Sequence, residues 1–376
     1  MNFFSLPYLA LILCYVFLYF YEKSSQQSNN KSVAGFWGAF IFVLFFGFRG
    51  FIGSDWFNYE NYYSEATLDV WTAFDYEIGF SFLVKLFHDL GFEYSFFVFF
   101  ITLIQVVLWH RFLKKESYNI SLAYIVLISC FPLLIIDLLR NFTAILIAVQ
   151  SIEYINKNKK IKAFLIILFS MSFHLTGITF LLLFFLKRNY FNKKVLVILL
   201  IFGIIVYFLQ IRFIDSIMAS LGAVLGGRFE YLAGTLTESD VSYGIRFGIL
   251  EKIFLFILVL SNYKYIVNNK VISPIYFNSF FCYCFIQLYF STSDAMINRF
   301  ALLFFWAYLM ILCNLKDLIK HRELRKTVVF PVILFCFLKT YITFNNPLYR
   351  YTSVIFGKES YYDRALIRDE FYESKE

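Results

Sequence analysis

Long apolar stretches separated by short polar connections make up almost the whole chain. Most of the stretches are long enough for a helix to cross the hydrocarbon core of a bilayer, which is about 30 Å thick. The pattern predicts an all-α, polytopic integral membrane protein with about twelve transmembrane helices. We predict spans at residues 3–21, 33–48, 95–113, 119–137, 139–155, 162–174, 175–187, 195–211, 246–261, 274–291, 298–314 and 327–344.

The predicted spans and their connections define the domain organisation. Residues 1–344 are expected to form one polytopic transmembrane domain, with outer loops at 49–94 and 212–245. Residues 345–376 are expected to form a charged C-terminal tail. The first apolar stretch has no basic leader and no small-residue cleavage site, so we interpret it as a retained span.

Lysine marks alternate connections between the spans. Because positively charged loops stay in the cytoplasm, these connections are predicted to be cytoplasmic and both termini to lie outside. The connections carry Lys23 and Lys31; Lys114 and Lys115; Lys157, Lys159, Lys160 and Lys162; Lys187, Lys193 and Lys194; Lys264 and Lys270; Lys316, Lys320 and Lys326.

Residues 162–187 are the least regular of the apolar stretches, because both of their flanks are strongly basic. A single long helix would carry one lysine cluster to the outer side. We therefore predict a re-entrant-like hairpin of two short helices that meet near residues 173–176. Each helix would be about 20 Å long, which is too short for a full crossing.

The composition agrees with this fold class and limits the function. Hydrophobic residues are 60% of the chain, charged residues are 16%, and the mean hydropathy is +0.67, so a soluble domain is excluded. The net charge of +8 comes from the connections, which argues against a nucleic-acid partner. All six cysteines lie in apolar segments, and their spacing indicates neither a disulfide framework nor a metal site.

Arginine marks the outer side instead of lysine. A guanidinium offers a rigid fork of donors that fits phosphate oxygens, which suits an anionic substrate. The alternative is that each arginine reaches to the membrane interface or pairs with a carboxylate, as Asp137 would pair with Arg140 three residues later on one helical face. Apart from those in the C-terminal tail, the outer arginines are Arg49, Arg140, Arg212, Arg228, Arg246 and Arg299.

The outer loop after the second span is rich in aromatic residues. Aromatic faces with polar groups suit sugar rings, although tryptophan and tyrosine also form the ordinary aromatic belt of membrane proteins. The loop contains Trp56, Phe57, Tyr59, Tyr62, Tyr63, Trp71, Phe74 and Tyr76. Residues 78–90 are predicted to form an amphipathic helix along the outer interface.

The order of several short motifs resembles the Wzy-type O-antigen and exopolysaccharide polymerases, specifically their EpsG-like branch. The likeness covers most of the chain up to the last span. This chain carries Ser54 and Trp56 beside Asp55, where Thr and small polar residues are common in the family. The motifs are Phe48-Arg49-Gly50, Ile52-Gly53-Ser54-Asp55, Tyr59 with Tyr62, Glu77 with Gly79-Phe80, Leu139-Arg140-Asn141 with Ala144, Phe173-His174 with Thr176, and Asn298-Arg299-Phe300.

The resemblance implies a membrane glycosyltransferase of O-antigen, lipopolysaccharide, capsule or exopolysaccharide biosynthesis. Such an enzyme transfers a glycan from undecaprenyl diphosphate onto a lipid-linked repeat unit. Its active site would face the periplasm or outside of the bacterial cytoplasmic (inner) membrane. The expected partners are the undecaprenyl-diphosphate-linked oligosaccharide, the lipid bilayer and a chain-length regulator, with no nucleic acid, cofactor or metal.

Candidate site residues follow from the chemistry of this reaction. Arginine can stabilise the diphosphate leaving group, and the acceptor hydroxyl needs a general base. We predict catalytic roles for His174, Asp55 and Glu77. Binding of the diphosphate and glycan is predicted for Arg49, Arg140, Arg246, Arg299 and Tyr59. Further outer carboxylates that could act as the base are Asp137, Glu251 and Asp294, and His174 could equally be a structural residue at a helix junction.

Two other functions remain open at this stage. A flippase or exporter of lipid-linked oligosaccharides would also need many spans and arginines facing a cavity. Transporters of this kind often contain internal repeats and bind near the bilayer midplane, whereas the charged groups here gather at one face. A membrane acyltransferase is the third reading, and it would need a stronger pairing of histidine and carboxylate on one helix.

Overall fold

The computed structural model describes residues 3–24, 28–66, 76–117, 119–212, 247–291, 293, 297, 299–357 and 359–373. These ranges are helical and contain no β-strand, so the predicted all-α class is confirmed for them. Among the described residues, two helices, Leu6–Ser24 and Tyr94–Glu116, are long and apolar enough to cross a bilayer. The count of twelve spans stays a prediction.

Each predicted span is matched by one helix or by consecutive helical segments. In chain order the helices are α1 (Leu6–Ser24), α2 (Ser28–Phe42), α3 (Trp56–Ser64), α4 (Ile78–Asp89), α5 (Tyr94–Glu116), α6 (Ile120–Cys130), α7 (Pro132–Ile136), α8 (Leu139–Val149), α9 (Ser151–Asn156), α10 (Lys160–Met171), α11 (Leu183–Leu186), α12 (Lys193–Phe208), α13 (Phe247–Ser261), α14 (Tyr263–Asn268), α15 (Pro274–Tyr289), α16 (Phe305–Cys313), α17 (Leu315–Leu318), α18 (Arg322–Thr327), α19 (Val329–Phe344) and α20 (Tyr361–Glu373). A π-helical turn, Val43–Gly47, continues α2, and 3-10 segments lie at Leu175–Leu182, Ala301–Phe304 and Pro347–Tyr349.

The helices form two compact units. The first contains Met1–Leu181 and Thr327–Glu376, and the second contains Leu182–Lys326. The segment that we predict as a charged tail therefore belongs to the same unit as the first ten helices.

Helix α6 lies at the centre of the first unit. It is buried from Ile120 to Ser129, because α1, α2, α5 and α19 pack around it. Its sequence has no polar stripe, as expected for a helix that is enclosed on all sides. The first N–H groups of α6 donate to the carboxylate of Glu22 at the end of α1, which supplies acceptors that the helix lacks. Thr340 donates to the hydroxyl of Ser129 and so links α19 to α6.

The outward surface of the helices is apolar. Phe17 is 74% exposed, Val107 is 59% exposed and Ile342 is 69% exposed. Large apolar side chains exposed on several helices are typical of contact with a membrane or a partner. Together with the apolar helix sequences, it indicates a lipid-facing exterior.

Helix α4 is the amphipathic helix that the sequence predicts. Its Ser81 and Lys85 side chains are buried against the rest of the first unit, whereas Ile78 and Phe82 are exposed. The buried side of α4 therefore combines these two polar residues with the apolar Phe80, Val84 and Phe87, whereas Ile78 and Phe82 face outward. This orientation suits a helix at the outer membrane interface, which stays a prediction.

The predicted break inside residues 162–187 is present. Helix α10 ends at Met171, and a new 3-10 segment begins at Leu175. The carbonyl oxygen of Ser172 accepts the N–H groups of Gly79 and Phe80 at 2.7 Å and 3.2 Å, so the start of α4 holds the break. The reversal of chain direction at this point stays a prediction.

Helix α15 is the centre of the second unit. It packs against α11, α12, α13 and α16, and Phe277, Phe280 and Phe281 are fully buried. The amide of Asn278 donates to the carbonyl oxygens of Leu186 and Asn189, both at 2.7 Å. These bonds close the end of α11, whose last carbonyl groups would otherwise lack donors.

Candidate functional site

The turn that leads into α3 is bound to a buried carboxylate. Asp137 Oδ1 accepts the backbone N–H groups of Ser54 at 2.6 Å and of Asp55 at 3.1 Å. Gly53 has φ +86°, and a Cβ at this position would lie 2.2 Å from Asp137 Oδ1. Only glycine permits both this backbone conformation and so close an approach. The Gly-Ser-Asp sequence therefore places Asp55 beside Asp137.

Asp137 lies at a break between helices. Helix α7 ends at Ile136 and α8 begins at Leu139, so Asp137 and Leu138 form the connection. Asp137 is only 2% exposed. A carboxylate buried this deeply needs donors, which explains why the turn packs onto it.

Arg140 pairs with Glu77. The alternative reading of the sequence, in which Arg140 pairs with a carboxylate, is therefore borne out, but the partner is Glu77 and not Asp137, because the helix is interrupted between Asp137 and Arg140. Arg140 Nη1 lies 2.6 Å from Glu77 Oε2, and its guanidinium lies 3.8 Å from the centre of the Tyr76 ring. Glu77 Oε1 accepts the N–H of Leu175 at 3.0 Å. The ion pair thus joins the start of α4, the start of α8 and the segment after α10.

His174 lies directly beside this ion pair in the chain break after α10. Its Nδ1 is 2.7 Å from the hydroxyl oxygen of Thr176 and accepts the N–H of Thr176 at 3.3 Å. The Thr176 hydroxyl also lies 3.3 Å from Asn141 Oδ1, on the residue after Arg140. The Thr176 N–H on Nδ1 corresponds to the neutral tautomer that carries its proton on Nε2, so a base role at Nε2 would require the other tautomer, in which Nδ1–H donates to the Thr176 hydroxyl.

The pKa of Asp55 is raised to about 6. Burial is the largest cause, and the nearby charge of Asp137 adds to it. The Ser54 hydroxyl and the positive charge of Arg140 act in the opposite direction. Asp55 can therefore exchange a proton near neutral pH, as a general base must.

Arg49 is buried below the turn. Its guanidinium donates to the carbonyl oxygens of Phe46 and Ile136 and to the hydroxyl of Thr102. These bonds connect the end of the π-helical turn with α5 and α7. Arg49 therefore links these three segments. Its contact with the diphosphate stays a prediction.

The remaining predicted site residues lie in different surroundings. Tyr59 is buried on α3, where burial raises the pKa of its hydroxyl and the charge of Arg140 lowers it. Arg299 is exposed in the second unit. Arg246 and the candidate base Asp294 lie outside the described residues. Among the described residues, no group of three or more His, Cys, Asp or Glu side chains is arranged to hold a metal ion.

The sequence did not predict the contribution of the C-terminal segment to this site. The hydroxyl of Tyr349 lies 3.4 Å from Asp137 Oδ2, and the carbonyl of Leu348 accepts the N–H of Gly53 at 2.9 Å. The polar and tyrosine-rich composition just after the last span was the available signal. The residues that Leu348 and Tyr349 contact lie about 200 to 300 positions earlier in the chain. A local sequence pattern does not reveal contacts between positions so far apart.

Comparison with known proteins gives one match. The model of the EpsG family matches residues 33–353, which include every predicted site residue. No curated protein and no solved structure matches the chain. The matched range ends within the C-terminal segment, before α20.

Proposed function

Since the chain belongs to the EpsG family, we propose that it is a polysaccharide polymerase acting at the outer face of the bacterial cytoplasmic membrane. Family membership makes it a polymerase-like membrane protein of polysaccharide biosynthesis. The proposal adds the reaction, in which a growing glycan moves from undecaprenyl diphosphate onto a lipid-linked repeat unit. The observation that supports it is that Asp55 is hydrogen-bonded to Asp137 at the break just before α8, within electrostatic range of Arg140 on that helix.

The proposed reaction forms one bond and breaks one. The hydroxyl oxygen of the acceptor sugar attacks the anomeric carbon of the donor glycan. The bond from that carbon to the diphosphate oxygen breaks, and undecaprenyl diphosphate leaves with the bonding electrons. The hydroxyl proton passes to a protein base. The protein must therefore supply a base on the acceptor side and positive charge on the diphosphate side.

Asp55 is the residue that we assign as the base. Its pKa of about 6 leaves it about nine tenths ionised at pH 7, yet basic enough to accept a proton in the transition state. Its position at the start of α3 is set by the bonds from the turn to Asp137. His174 is the second candidate for the base.

Arg140 is assigned to the diphosphate. A guanidinium has five N–H donors, and the ion pair with Glu77 is made through Nη1. The buried Nε makes no hydrogen bond to the described residues. Stacking on Tyr76 fixes the plane of the guanidinium, which favours bidentate contact with phosphate oxygens. Both oxygens of Glu77 have protein partners, so we assign Glu77 to orienting Arg140.

A deletion strain tests the polymerase function against the flippase alternative. Loss of a polymerase should leave single lipid-linked repeat units exposed on the outer face, whereas loss of a flippase should hold them inside. Spheroplasts treated with a glycan-cleaving enzyme would separate the two pools, and the extracted lipids would then be compared. Complementation with wild type should restore polymer, Asp55→Asn should not, and the exposed Asp89→Asn should act as the matched control. Repeat units that remain inside would overturn the proposal.

A further inference from the structure

We propose that Tyr349 is a positioning residue for Asp55, acting through Asp137, and that the C-terminal segment is therefore part of the site. The proposal rests on the proposed function, in which Asp55 accepts the proton of the acceptor hydroxyl. Tyr349 itself need not touch the substrate.

The first step of the argument is the sharing of one carboxylate. Oδ1 of Asp137 receives the two N–H groups of the turn, from Ser54 and Asp55. Oδ2 of the same carboxylate receives the Tyr349 hydroxyl at 3.4 Å. A donor on Oδ2 withdraws charge from the carboxylate and limits its rotation, so it influences the turn that Oδ1 holds.

The second step is that Tyr349 is itself held firmly. It ends a 3-10 turn, Pro347–Tyr349, in which the side chain of Asn346 accepts the N–H of Leu348 at 2.9 Å. The hydroxyl of Tyr8 donates to the carbonyl of Tyr349 at 2.9 Å. The buried Arg364 donates to the carbonyl of Leu348 at 3.0 Å. The backbone that carries the Tyr349 ring is therefore held in place.

The third step is direct pairing between the C-terminal segment and the turn. The N–H of Gly53 donates to the carbonyl of Leu348 at 2.9 Å, and the N–H of Gly50 donates to the carbonyl of Thr352 at 2.8 Å. A Cβ at Gly50 would lie 2.4 Å from the Thr352 hydroxyl, which indicates how closely the two backbones approach. The turn before Asp55 is thus fixed on two sides, by Asp137 and by residues 348–352.

The fourth step is the contact of α20 with α3, whose first residue follows Asp55. The Arg368 guanidinium lies 3.6 Å from the centre of the Phe57 ring, which is the geometry of a cation–π interaction. The hydroxyl of Tyr361 donates to Asn61 Oδ1 at 2.8 Å. Helix α20 lies beyond the part of the chain that matches the family.

A measurement of Asp55 must take its charged and titratable surroundings into account. Asp137 and Arg140 act on it from the connection before α8 and from α8 itself. The tyrosines that interact with it electrostatically are Tyr59 on α3, Tyr94 on α5 and Tyr349 in the C-terminal segment. Removing the Tyr349 hydroxyl changes only one of these groups.

The experiment compares Tyr349→Phe with Tyr351→Phe, each of which removes one hydroxyl from the same segment. The Tyr351 hydroxyl donates to the carbonyl of Phe45 at 3.0 Å instead of to Asp137, so Tyr351→Phe is the matched control. The infrared carboxyl band that disappears in Asp55→Asn belongs to Asp55, and it is titrated in nanodiscs. Turnover is measured with lipid-linked repeat units.

Without the Tyr349 hydroxyl as a donor, Asp137 should repel a negative charge on Asp55 more strongly. The midpoint of Asp55 in Tyr349→Phe should therefore rise by about half a unit, and kcat should fall about tenfold at unchanged KM.

Several outcomes would overturn the proposal. One is a titration midpoint of Asp55 that is unchanged or lower in Tyr349→Phe than in wild type. Another is a shift of this midpoint that is the same in Tyr349→Phe and in Tyr351→Phe. If Tyr349→Phe does not fold, 3-fluorotyrosine can be placed at position 349, where it keeps the ring and makes the hydroxyl a stronger hydrogen-bond donor. The titration midpoint of Asp55 should then fall. The infrared titration needs no turnover. A wild-type protein that makes no polymer would contradict the proposed function, while the titration would still decide the positioning role.

Discussion

Replacement of Asp55 by asparagine should abolish polymer synthesis and make the folded protein more stable at neutral pH. Asparagine keeps the shape of the side chain and remains a good residue at a helix N-terminus, so the turn should stay intact. It cannot ionise or accept a proton. The variant therefore separates the requirement for a base from the requirement for a fold.

The magnitude follows from the pKa. The ordinary value of 3.8 is raised to about 6, and each unit corresponds to about 1.4 kcal/mol. The full effect of this shift is about 3 kcal/mol, and partial exposure of the side chain reduces it to about 1–3 kcal/mol. A raised pKa means that the folded protein binds the proton more tightly than the unfolded chain. The stabilising contribution is complete below about pH 4 and is lost as the pH rises through about 6.

Wild-type protein and Asp55→Asn would be melted in nanodiscs between pH 4 and pH 8. The melting temperature of the variant should exceed that of wild type by a few degrees at pH 7.5, and the difference should vanish near pH 4. Asp89→Asn, an exposed change on α4, is the control for the loss of one carboxyl group. The wild-type rate should rise with pH through about 6, because only ionised Asp55 accepts a proton.

Two results would refute this reasoning. Normal polymer synthesis by Asp55→Asn would exclude Asp55 as the base and make His174 the next candidate to test. A stability difference that is the same at pH 4 and pH 7.5 would show that the Asp55 carboxyl titrates as it does in water.

Three further predictions test other parts of the site and the topology. Arg140→Lys should keep normal protein abundance but lower the polymerisation rate at least tenfold, because a point charge replaces a fork of donors. Arg322→Lys, on the predicted cytoplasmic side, is the control. If Arg140→Lys and Arg322→Lys polymerise at the same rate, Arg140 is a structural residue. His174→Gln should keep most activity if Asp55 is the base, whereas a loss of about 100-fold or more in well-folded protein would favour His174. In a background without native cysteines, an outside thiol reagent should label position 58 but not position 160, and strong labelling at 160 would contradict the predicted topology.

The sequence predicted the helices well because each apolar run reports its own local environment. The helix at residues 78–89 follows from its amphipathic pattern, and the break near residues 173–176 follows from basic flanks that forbid one long crossing. Both predictions depend only on neighbouring residues. Their bounds agree with the structure to within a few positions.

The side-chain pairing of the site was less predictable, because it depends on contacts between distant segments. The spacing of Asp137 and Arg140 suggests one helical face, but the break at Asp137 turns the two side chains to different partners. Glu77 is 63 positions from Arg140, and Tyr349 is 212 positions from Asp137. The motifs identified the residues that meet, whereas their partners are set by the packing of α3, α4, α8 and the C-terminal segment.

The energetics of the site connect the C-terminal segment to the charge on Asp55. Keeping Asp55 ionised inside the protein costs about 1–3 kcal/mol, as worked out above. Backbone bonds from Gly50, Gly53 and Val354 join the turn region to the C-terminal segment, and each contributes about 1 kcal/mol. The summed contribution of these three hydrogen bonds is similar to the free-energy cost of ionising Asp55. The C-terminal segment can therefore offset the loss of stability that an ionised Asp55 causes. Variants that weaken this pairing should therefore be tolerated better at pH 4, where Asp55 is largely protonated, than at pH 7.5. A variant of this kind whose melting temperature is the same at pH 4 and pH 7.5 would contradict this reasoning.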